Sequence, residues 1–391
     1  MTVRLQDLPR DVNELKGLWT TLEAEAEHSF FISWAWIDTW LACIRKENIA
    51  PKLLVIEQNG RAIAAGLLVY CKPRRHYLWS PRTWVLNATG DEALDTVFVE
   101  YNGLLAVRGF ENAAWREWAE YLQRVESTWD EVRLDGVPPS VLTHWKREGV
   151  ALRDETPRTG RYVDLEPIRA AGKAFGEQLS KNTVRKVRQT RTAFEKLGSI
   201  TTRVAGNSAE ARQFFNEMKT LHESRWQAIG GGRGAFTHPM FERFHTELIA
   251  KHFDSGCLQL FKASAGETTV GILYNFVYQS HVLQYQSGLN YALIARNESP
   301  GLLTHALSVD YNVAQGMSRY DLLVGDSQYK RSLAPNAYEL WWGVIQQDRY
   351  KFRAEELLRR GVRGARAMLN RRNSSAGASD DPRVERDAAL S

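Results

Sequence analysis

The stretch that decides the fold begins Leu258-Gln259-Leu260-Phe261-Lys262, turns at Ala265-Gly266-Glu267, and returns from Val270 to Val277. Two apolar runs joined by a tight polar turn predict a β-hairpin. A third run, His281 to Ser287, alternates, with Val282, Leu283 and Tyr285 among polar neighbours. Gly288-Leu289-Asn290 is a loop, and Glu298-Ser299-Pro300-Gly301-Leu302-Leu303 reads as the start of a helix. Ser299 is a good N-cap, and Pro300 sits where a missing N–H costs nothing. Leu302, Leu303, Ala306, Leu307, Val309, Val313 and Ala314 recur mostly at helical spacing, and Gly316 ends the run. Arg319 to Gly325 then reads as a buried strand that breaks into Asp326-Ser327-Gln328-Tyr329-Lys330. The order is β-β-β-helix-β. A helix N-terminus beside a strand end presents free N–H groups and a positive dipole end, which suits a pyrophosphate.

Outside this stretch, 391 residues predict two domains, and 43% hydrophobic content is ample for their cores. A net charge of +5 on a mixed surface biases the chain towards anionic ligands without implying nucleic acid. Cys43, Cys71 and Cys257 are far apart and show no metal or redox spacing. They predict a reduced, cytoplasmic protein without a metal. No N-terminal signal pattern and no bilayer-length apolar run is expected.

The first half predicts helices over Asp11–Ala26 and, capped by Ser33, through Trp36 to Ile44. Strands follow at Lys52–Glu57 and Ile63–Tyr70, joined by Asn59-Gly60, a strong hairpin signal. Pro73 to Asn102 is irregular and Trp-rich; then come a helix at Asn112–Glu126 and a strand at Glu131–Asp135. Thr156-Pro157 is expected to open a linker. The second half repeats the plan, with helices at Ala209–Ser224 and Pro239–Phe253 before the hairpin. Its returning strand Thr269-Val270-Gly271-Ile272-Leu273 compares with Ile63-Ala64-Ala65-Gly66-Leu67-Leu68. Such self-similarity at a spacing of roughly two hundred residues reads as an internal repeat. The expected division is 1–155, 156–370 and a disordered, Ser/Ala/Asp-rich tail at 371–391.

This organisation resembles a tandem arrangement of acyl-CoA N-acyltransferase (GNAT-like) folds, an α/β (α+β) class with mixed sheets flanked by helices. More closely, it is similar to the CelD-like acetyltransferase family of cellulose and exopolysaccharide biosynthesis, which is related to the FemAB peptidyltransferases. The residues that carry the likeness are Leu221-His222-Glu223-Ser224-Arg225-Trp226, the Gly-rich break before Phe236, Val270-Gly271-Ile272-Leu273, Tyr285-Gln286-Ser287-Gly288, the helix from Pro300-Gly301 to Gly316, and Tyr320 to Asp326 with Tyr329-Lys330. It covers roughly residues 10 to 345 and is best in the second half. One departure stands out. GNAT pyrophosphate loops carry closely spaced glycines, and here only Gly301 stands at the matching place, preceded by Arg296 and Asn297.

The resemblance implies acetyl-CoA or another acyl-CoA as co-substrate, held at Ser299, Gly301, Leu302 and Leu303. It also implies an acid beyond the strand that follows the cofactor helix. Tyr329 stands there: it is that proton donor, or a tyrosine buried under a loop. Asp326 is a base, or a turn aspartate bonding its own backbone. Lys330 belongs to the site, or is a solvated charge. His222 and Arg225 share a helix face at i and i+3 and, with Trp226, either line the acceptor pocket or close a packed helix end. Tyr285 and Gln286 point to opposite faces of one strand. Tyr285 falls in phase with Leu283 on the apolar side, so Gln286 is expected to face the cleft.

Lys181 to Lys196 is the densest charge cluster, with Lys181, Arg185 and Arg188 on one side of a helix. It is either a solvated face or a grip on an anion such as CoA phosphate, with Arg185 and Arg188 as cofactor contacts. Without interleaved aromatics it is ill suited to single-stranded nucleic acid. A second basic segment, Arg353 to Arg372, is suited to lie on the protein or on an anionic membrane surface. The reading is a cytoplasmic acyltransferase that moves an acetyl or other acyl group from acyl-CoA to a sugar or cell-envelope precursor. One alternative is a FemAB-like peptidyltransferase using aminoacyl-tRNA. The other is a non-catalytic binding protein of a polysaccharide-synthesis complex.

Overall fold

A computed structural model describes residues 1–73, 80–126, 128–146, 149–292 and 298–355. The expected contributions of Arg296 and Asn297, most of the 353–372 segment and the tail from 371 lie outside the described residues.

The first half runs β1 (Thr2–Asp7), α1 (Val12–Glu25), α2 (Trp34–Arg45), β2 (Lys52–Gln58), β3 (Arg61–Cys71), β4 (Thr83–Leu86), β5 (Leu105–Ala106), α3 (Glu111–Arg124), β6 (Glu131–Val137) and β7 (Val150–Asp164). Two helices, α4 (Leu165–Ala171) and α5 (Lys181–Glu195), connect the halves. The second half runs β8 (Ile200–Val204), α6 (Ser208–Ala228), α7 (Pro239–His252), β9 (Leu258–Ala265), β10 (Thr268–Tyr278), β11 (His281–Leu289), α8 (Pro300–Ala314), β12 (Arg319–Val324), α9 (Gln328–Leu333) and β13 (Asn336–Gln347). Local chemistry fixes the ends. Asp11, Ser33, Asn207 and Ser299 each accept a first-turn amide at an N-cap. Asn59 and Gly60 turn the β2–β3 hairpin with positive φ at both positions.

All strands join one mixed sheet in the order β1-β2-β3-β4-β6-β13-β7-β12-β11-β10-β9-β8, with β5 on β3. The expected repeat is written in this order. In each half the outer strands are antiparallel, and one parallel pair closes the set: β4 with β6 across α3, and β11 with β12 across α8. The two last strands are exchanged. β13 pairs with β6 of the first half, and β7 pairs with β12 of the second.

This exchange corrects the expected boundary. Thr156-Pro157 is no linker: it lies within β7, where Trp341 opposes Pro157, and the 155/156 division cuts a central strand. Proline removes a ladder donor and so reads as a break, yet a β-bulge at Trp342/Val344 beside it relieves the pairing.

One sheet face carries a core shared by both halves, in which Trp36, Phe30 and Phe31 meet Phe244, Tyr274 and Phe276 under α1, α2, α6 and α7. The opposite face carries two separate cores. Trp118, Trp129 and Trp145 lie under α3, and Phe194, Val309 and Tyr320 lie around α5 and α8. The glycine noted in each returning strand has a packing cause. A Cβ on Gly271 would sit 2.6 Å from Thr304 Oγ1 of α8, and one on Gly66 would sit 2.7 Å from Leu104. Gly271 therefore lets the first turn of α8 lie directly on the sheet.

Candidate functional site

The parallel pairing of β11 and β12 covers only His281 to Leu283 against Arg319 to Asp321. Beyond it the two strands diverge. Leu323 adopts φ 60, in the left-handed region that a non-glycine residue rarely enters. Side chains hold this turn on every side. Asp321 Oδ1 accepts from the Leu323 amide at 2.8 Å, and Glu100 Oε2 accepts from the Val324 amide at 2.7 Å. Lys330 Nζ donates to the Val324 carbonyl at 2.7 Å and to the Leu323 carbonyl at 3.4 Å. Backbone strain over-determined in this way is typical of working sites.

Glu100 comes from the first half, from the irregular stretch before β5, and reaches into the second. Burial, its largest influence, pushes its carboxyl up to about 7, against the pull of Lys330. Burial likewise lowers the Lys330 ammonium, which Glu100 and Asp321 oppose. At 5% exposure Lys330 is not the solvated charge that its sequence setting allowed.

Asp321 is 1% exposed and takes three side-chain donors: Tyr101 Oη at 2.5 Å, Arg319 at 2.8 Å and Tyr338 Oη at 3.0 Å. Arg319 in turn stacks on the Tyr162 ring at 3.7 Å. This seam draws on β7, β12, β13 and the first-half loop. It borders a cleft of about 480 Å³ between the halves, lined among others by His28, Tyr101, Trp115, Tyr278, Arg319 and Asp321.

Tyr329, on α9, is half-buried and stacks on His305 with centroids 5.8 Å apart. His305 is buried and pushed down to about 3, so it is neutral at physiological pH. Burial raises the Tyr329 phenol well above its usual value, and nearby Tyr291 adds to the effect. A phenol raised in this way holds its proton more tightly than an ordinary thiol, whose pKa is about 8.5. It can donate a hydrogen bond to a leaving thiolate but is a poor source of a transferred proton.

Asp326 lies at the surface. It is paired with Arg161 at 2.6 Å and Arg331 at 3.0 Å. The hydrogen bond from Arg161, first of all, holds its carboxyl below the usual range.

At the start of α8, Ser299 Oγ accepts from the Leu302 amide at 3.4 Å, and the Ser299 carbonyl accepts from Leu303. The amides of Leu302 and Leu303 are thus occupied, and both side chains are core. Of the four expected cofactor contacts on this helix, Gly301 keeps an amide with no partner among the described residues. A Cβ on Gly301 would lie 3.0 Å from Leu289 Cδ1 and 3.8 Å from Tyr291 Oη. The Arg225 guanidinium lies 4.3 Å over the Tyr291 ring, which ties α6 to this corner. Arg185 and Arg188 are exposed on α5, which packs along α8 and whose Thr190 Oγ1 accepts from the Ser299 amide at 2.8 Å. Neither arginine has an ion-pair partner among the described residues.

The remaining acceptor-side residues divide differently from the expectation. His222 is buried; its Nε2 accepts from the Ala235 amide at 3.3 Å and its Nδ1 faces the Ser287 carbonyl at 3.1 Å. One nitrogen ties α6 to β11 and the other ties it to the turn that follows Gly234. Trp226 is packed under the glycine turn, where a Cβ on Gly231 or Gly234 would enter its ring. Gln286 is buried and its Oε1 accepts its neighbour's Ser287 amide at 2.9 Å. Tyr285 lies in the aromatic core on the other face, beside Phe276 and His245.

The sequence reading missed Glu100, Tyr101 and Asp321. Asp321 had a signal, a carboxylate inside a run that otherwise reads as a buried strand. Glu100 had none.

The fold is that of two tandem GNAT-like halves. A family model described as an acetyltransferase (GNAT) domain matches residues 181–331. Solved structures of the same fold include FemX, with a TM-score of 0.52 at 10% identity, covering 88% of this chain and 96% of that one. L-PGS from Bacillus licheniformis aligns with a TM-score of 0.50 at 8% identity, over 93% and 99% of the two chains. A conserved protein of unknown function from Bacteroides thetaiotaomicron gives 0.51 at 9% identity, over 89% and 100%. No curated protein matches the sequence.

Proposed function

We propose that the protein is a cytoplasmic acyltransferase that moves an acetyl or other acyl group from acyl-CoA to an amine or hydroxyl of a sugar or cell-envelope precursor. The observation that carries this reading is the divergence of β11 and β12, with the Gly301 amide at one side and Glu100, Lys330 and Tyr329 at the other. The thioester would lie along α8 with phosphate towards Gly301, Arg185 and Arg188. The acceptor would enter from the cleft beside Asp321. Glu100, as carboxylate, takes the acceptor's proton as the new N–C or O–C bond forms. The C–S bond breaks and the thiolate leaves, hydrogen-bonded by Tyr329. Protonated Glu100, near 7, can then return the proton to a thiolate whose conjugate acid lies near 8.5. Lys330 positions the strained turn and keeps Glu100 ionisable.

A second reading, an aminoacyl-tRNA-dependent peptidyltransferase, is supported by the FemAB-type resemblance and by the whole-chain likeness to FemX. Ligand-induced stabilisation separates the two. Acetyl-CoA at about a hundred times its Kd should stabilise the protein by about 2.7 kcal/mol. Gly301→Asp, which puts a negative charge at the helix N-terminus, should abolish that shift. Stabilisation by aminoacyl-tRNA and not by acetyl-CoA would select the second reading. Stabilisation by neither would point to a non-catalytic binding protein.

A further inference from the structure

The cleft between the halves is acidic in a basic protein. Among its described lining residues Glu27, Glu111 and Asp321 stand against one guanidinium, Arg319. Arg319 is matched by Asp321 at 2.8 Å. Burial, foremost, lowers His28 and His281, so neither adds positive charge at neutral pH. Glu27 and Glu111 therefore remain uncompensated, in a chain of net charge +5. They stand on neighbouring stretches of chain. A bridge joins Ala26 to Val107, and the Arg108 amide bonds the Glu25 carbonyl at 3.0 Å. Glu27 is exposed and makes no hydrogen bond or ion pair among the described residues. Glu111 spends one oxygen on the Gly109 amide and keeps the other.

The neutral groups of the cleft have a fixed hydrogen-bonding sense. His28 Nδ1 faces the Ser29 carbonyl at 2.9 Å, which places the ring proton on that nitrogen. His28 Nε2 is then an acceptor, and Tyr278 Oη donates to it at 2.8 Å. Tyr101 Oη gives its proton to Asp321 at 2.5 Å. Both phenols line the cleft, and both offer it lone pairs only. Trp115 has the opposite sense. It lies one turn beyond Glu111 on α3 and is 6% exposed, and its indole N–H has no hydrogen bond among the described residues. The ring edge next to that N–H passes Gly103, where a Cβ would lie 3.8 Å from Trp115 Cζ2, and both residues line the cleft.

We propose that this cleft takes an amino sugar with a free ammonium, and that a hydroxyl of the sugar, not its nitrogen, receives the acyl group. Three N–H donors and a positive charge suit Glu27 and Glu111. Ring hydroxyls can accept from Trp115 and donate to Tyr278 and Tyr101, which a simple amine could not do. An ammonium between carboxylates keeps its proton and has no lone pair with which to attack. The hydroxyl oxygen instead bonds the acyl carbon, its proton passes to Glu100, and the C–S bond breaks. This last step rests on the acyl-transfer reading; the binding site does not. Acidic sugars are repelled by the same carboxylates.

Titration calorimetry of the full chain without acetyl-CoA tests the site, at about pH 6, where an alkylammonium keeps its proton. The probes are glucosamine, N-acetylglucosamine and glucuronate. Glucosamine should bind about tenfold more tightly than N-acetylglucosamine, as expected of two exposed ion pairs, and glucuronate more weakly than either. Glu27→Gln with Glu111→Gln should erase the preference for glucosamine and leave N-acetylglucosamine binding unchanged. Glu27→Gln alone, at an exposed side chain, should cost glucosamine about threefold with an unchanged melting temperature. Tyr278→Phe should weaken both amino sugars alike, by about fivefold. Equal binding of glucosamine and N-acetylglucosamine, or a preference that survives both carboxylate variants, would overturn the proposal. With acetyl-CoA added, the expected product is an ester cleaved by hydroxylamine, and a resistant amide would overturn the retained ammonium. No transfer with the binding preference intact would support the site and sink the acyl-transfer reading.

Discussion

The two halves share one plan, and they differ most at the start of the helix that crosses between the parallel strands, α3 in one and α8 in the other. In the second half α8 begins with Ser299-Pro300-Gly301, carries no acid in its first turn, and leaves the Gly301 amide without a partner among the described residues. In the first half α3 begins with Glu111, whose carboxylate accepts the Gly109 amide at 2.9 Å. The place where an anion would sit on α3 is filled by the chain's own carboxylate. The strand divergences differ in the same sense. Between β4 and β6 the space is closed by amides: Asn87 donates to Asn102 Oδ1 at 2.8 Å, and the Asn102 amide bonds Gly136 at 2.9 Å. Between β11 and β12 the space receives Glu100, a titratable group, from that same first-half loop. On this comparison the first half has become a support that lends one carboxylate to the second, and the exchanged strands β7 and β13 fix the two at one distance.

The sharpest test of that division of labour is Glu100→Gln. If the first half supplies the base, turnover should fall by about 10²- to 10⁴-fold with little change in acetyl-CoA affinity. Wild-type activity should rise with pH through about 7, where Glu100 ionises, and the variant's residual activity should lack that step. Stability moves the other way. A carboxyl raised in the folded state contributes stability that is fully present below the unfolded value of 4.5 and is lost as pH rises through about 7. Glu100→Gln should therefore gain stability over wild type between those values. Unchanged turnover would make Glu100 a brace for the Val324 turn and return the first half to pure scaffold.

Tyr329→Phe is expected to cost less, because the phenol donates a hydrogen bond and passes no proton. Loss of one preorganised donor to developing charge typically lowers turnover by about 10²- to 10³-fold. The pH step near 7 should survive, since it belongs to Glu100. A variant that loses the step instead would make Tyr329 the titrating group and break the assignment. Full activity would leave Tyr329 as packing against His305.

The sequence disclosed the second half more fully than the first for a physical reason. Hairpin turns, the Ser299 cap and helical spacing are local signals, and they placed β9 to β12 and α8 closely. The exchange of β7 and β13 is a matter of long-range pairing, which leaves little local mark, and Pro157 counterfeited a boundary. The site suffered in proportion. Tyr329 and Lys330 could be singled out because they follow a readable strand. Glu100 sits in an irregular stretch about 230 residues away, and nothing in its neighbours announces that its carboxylate ends at Val324. His222 and Trp226 looked functional because polar and aromatic side chains at a helix end do; closing a glycine turn uses the same residue types.

The smallest expected effect concerns α5. Its buried side, Thr183, Val187, Thr190 and Phe194, packs towards α8, and Arg185 and Arg188 project from the other side. Changing both arginines to glutamine removes charge without removing packing, so the melting temperature should stay within a few degrees, surface changes usually lying within about 0.5 kcal/mol. If these residues steer a CoA phosphate towards the Gly301 amide, acetyl-CoA affinity should fall several-fold at low salt. That difference should shrink as salt rises, since exposed charges are screened beyond about 10 Å at 0.1 M. Titration calorimetry at two salt concentrations reads both quantities. A large loss of stability with unchanged affinity would show that the arginines hold α5 against α8. An affinity loss that ignores salt would mean a direct, desolvated contact, and α5 would then belong to the donor site itself.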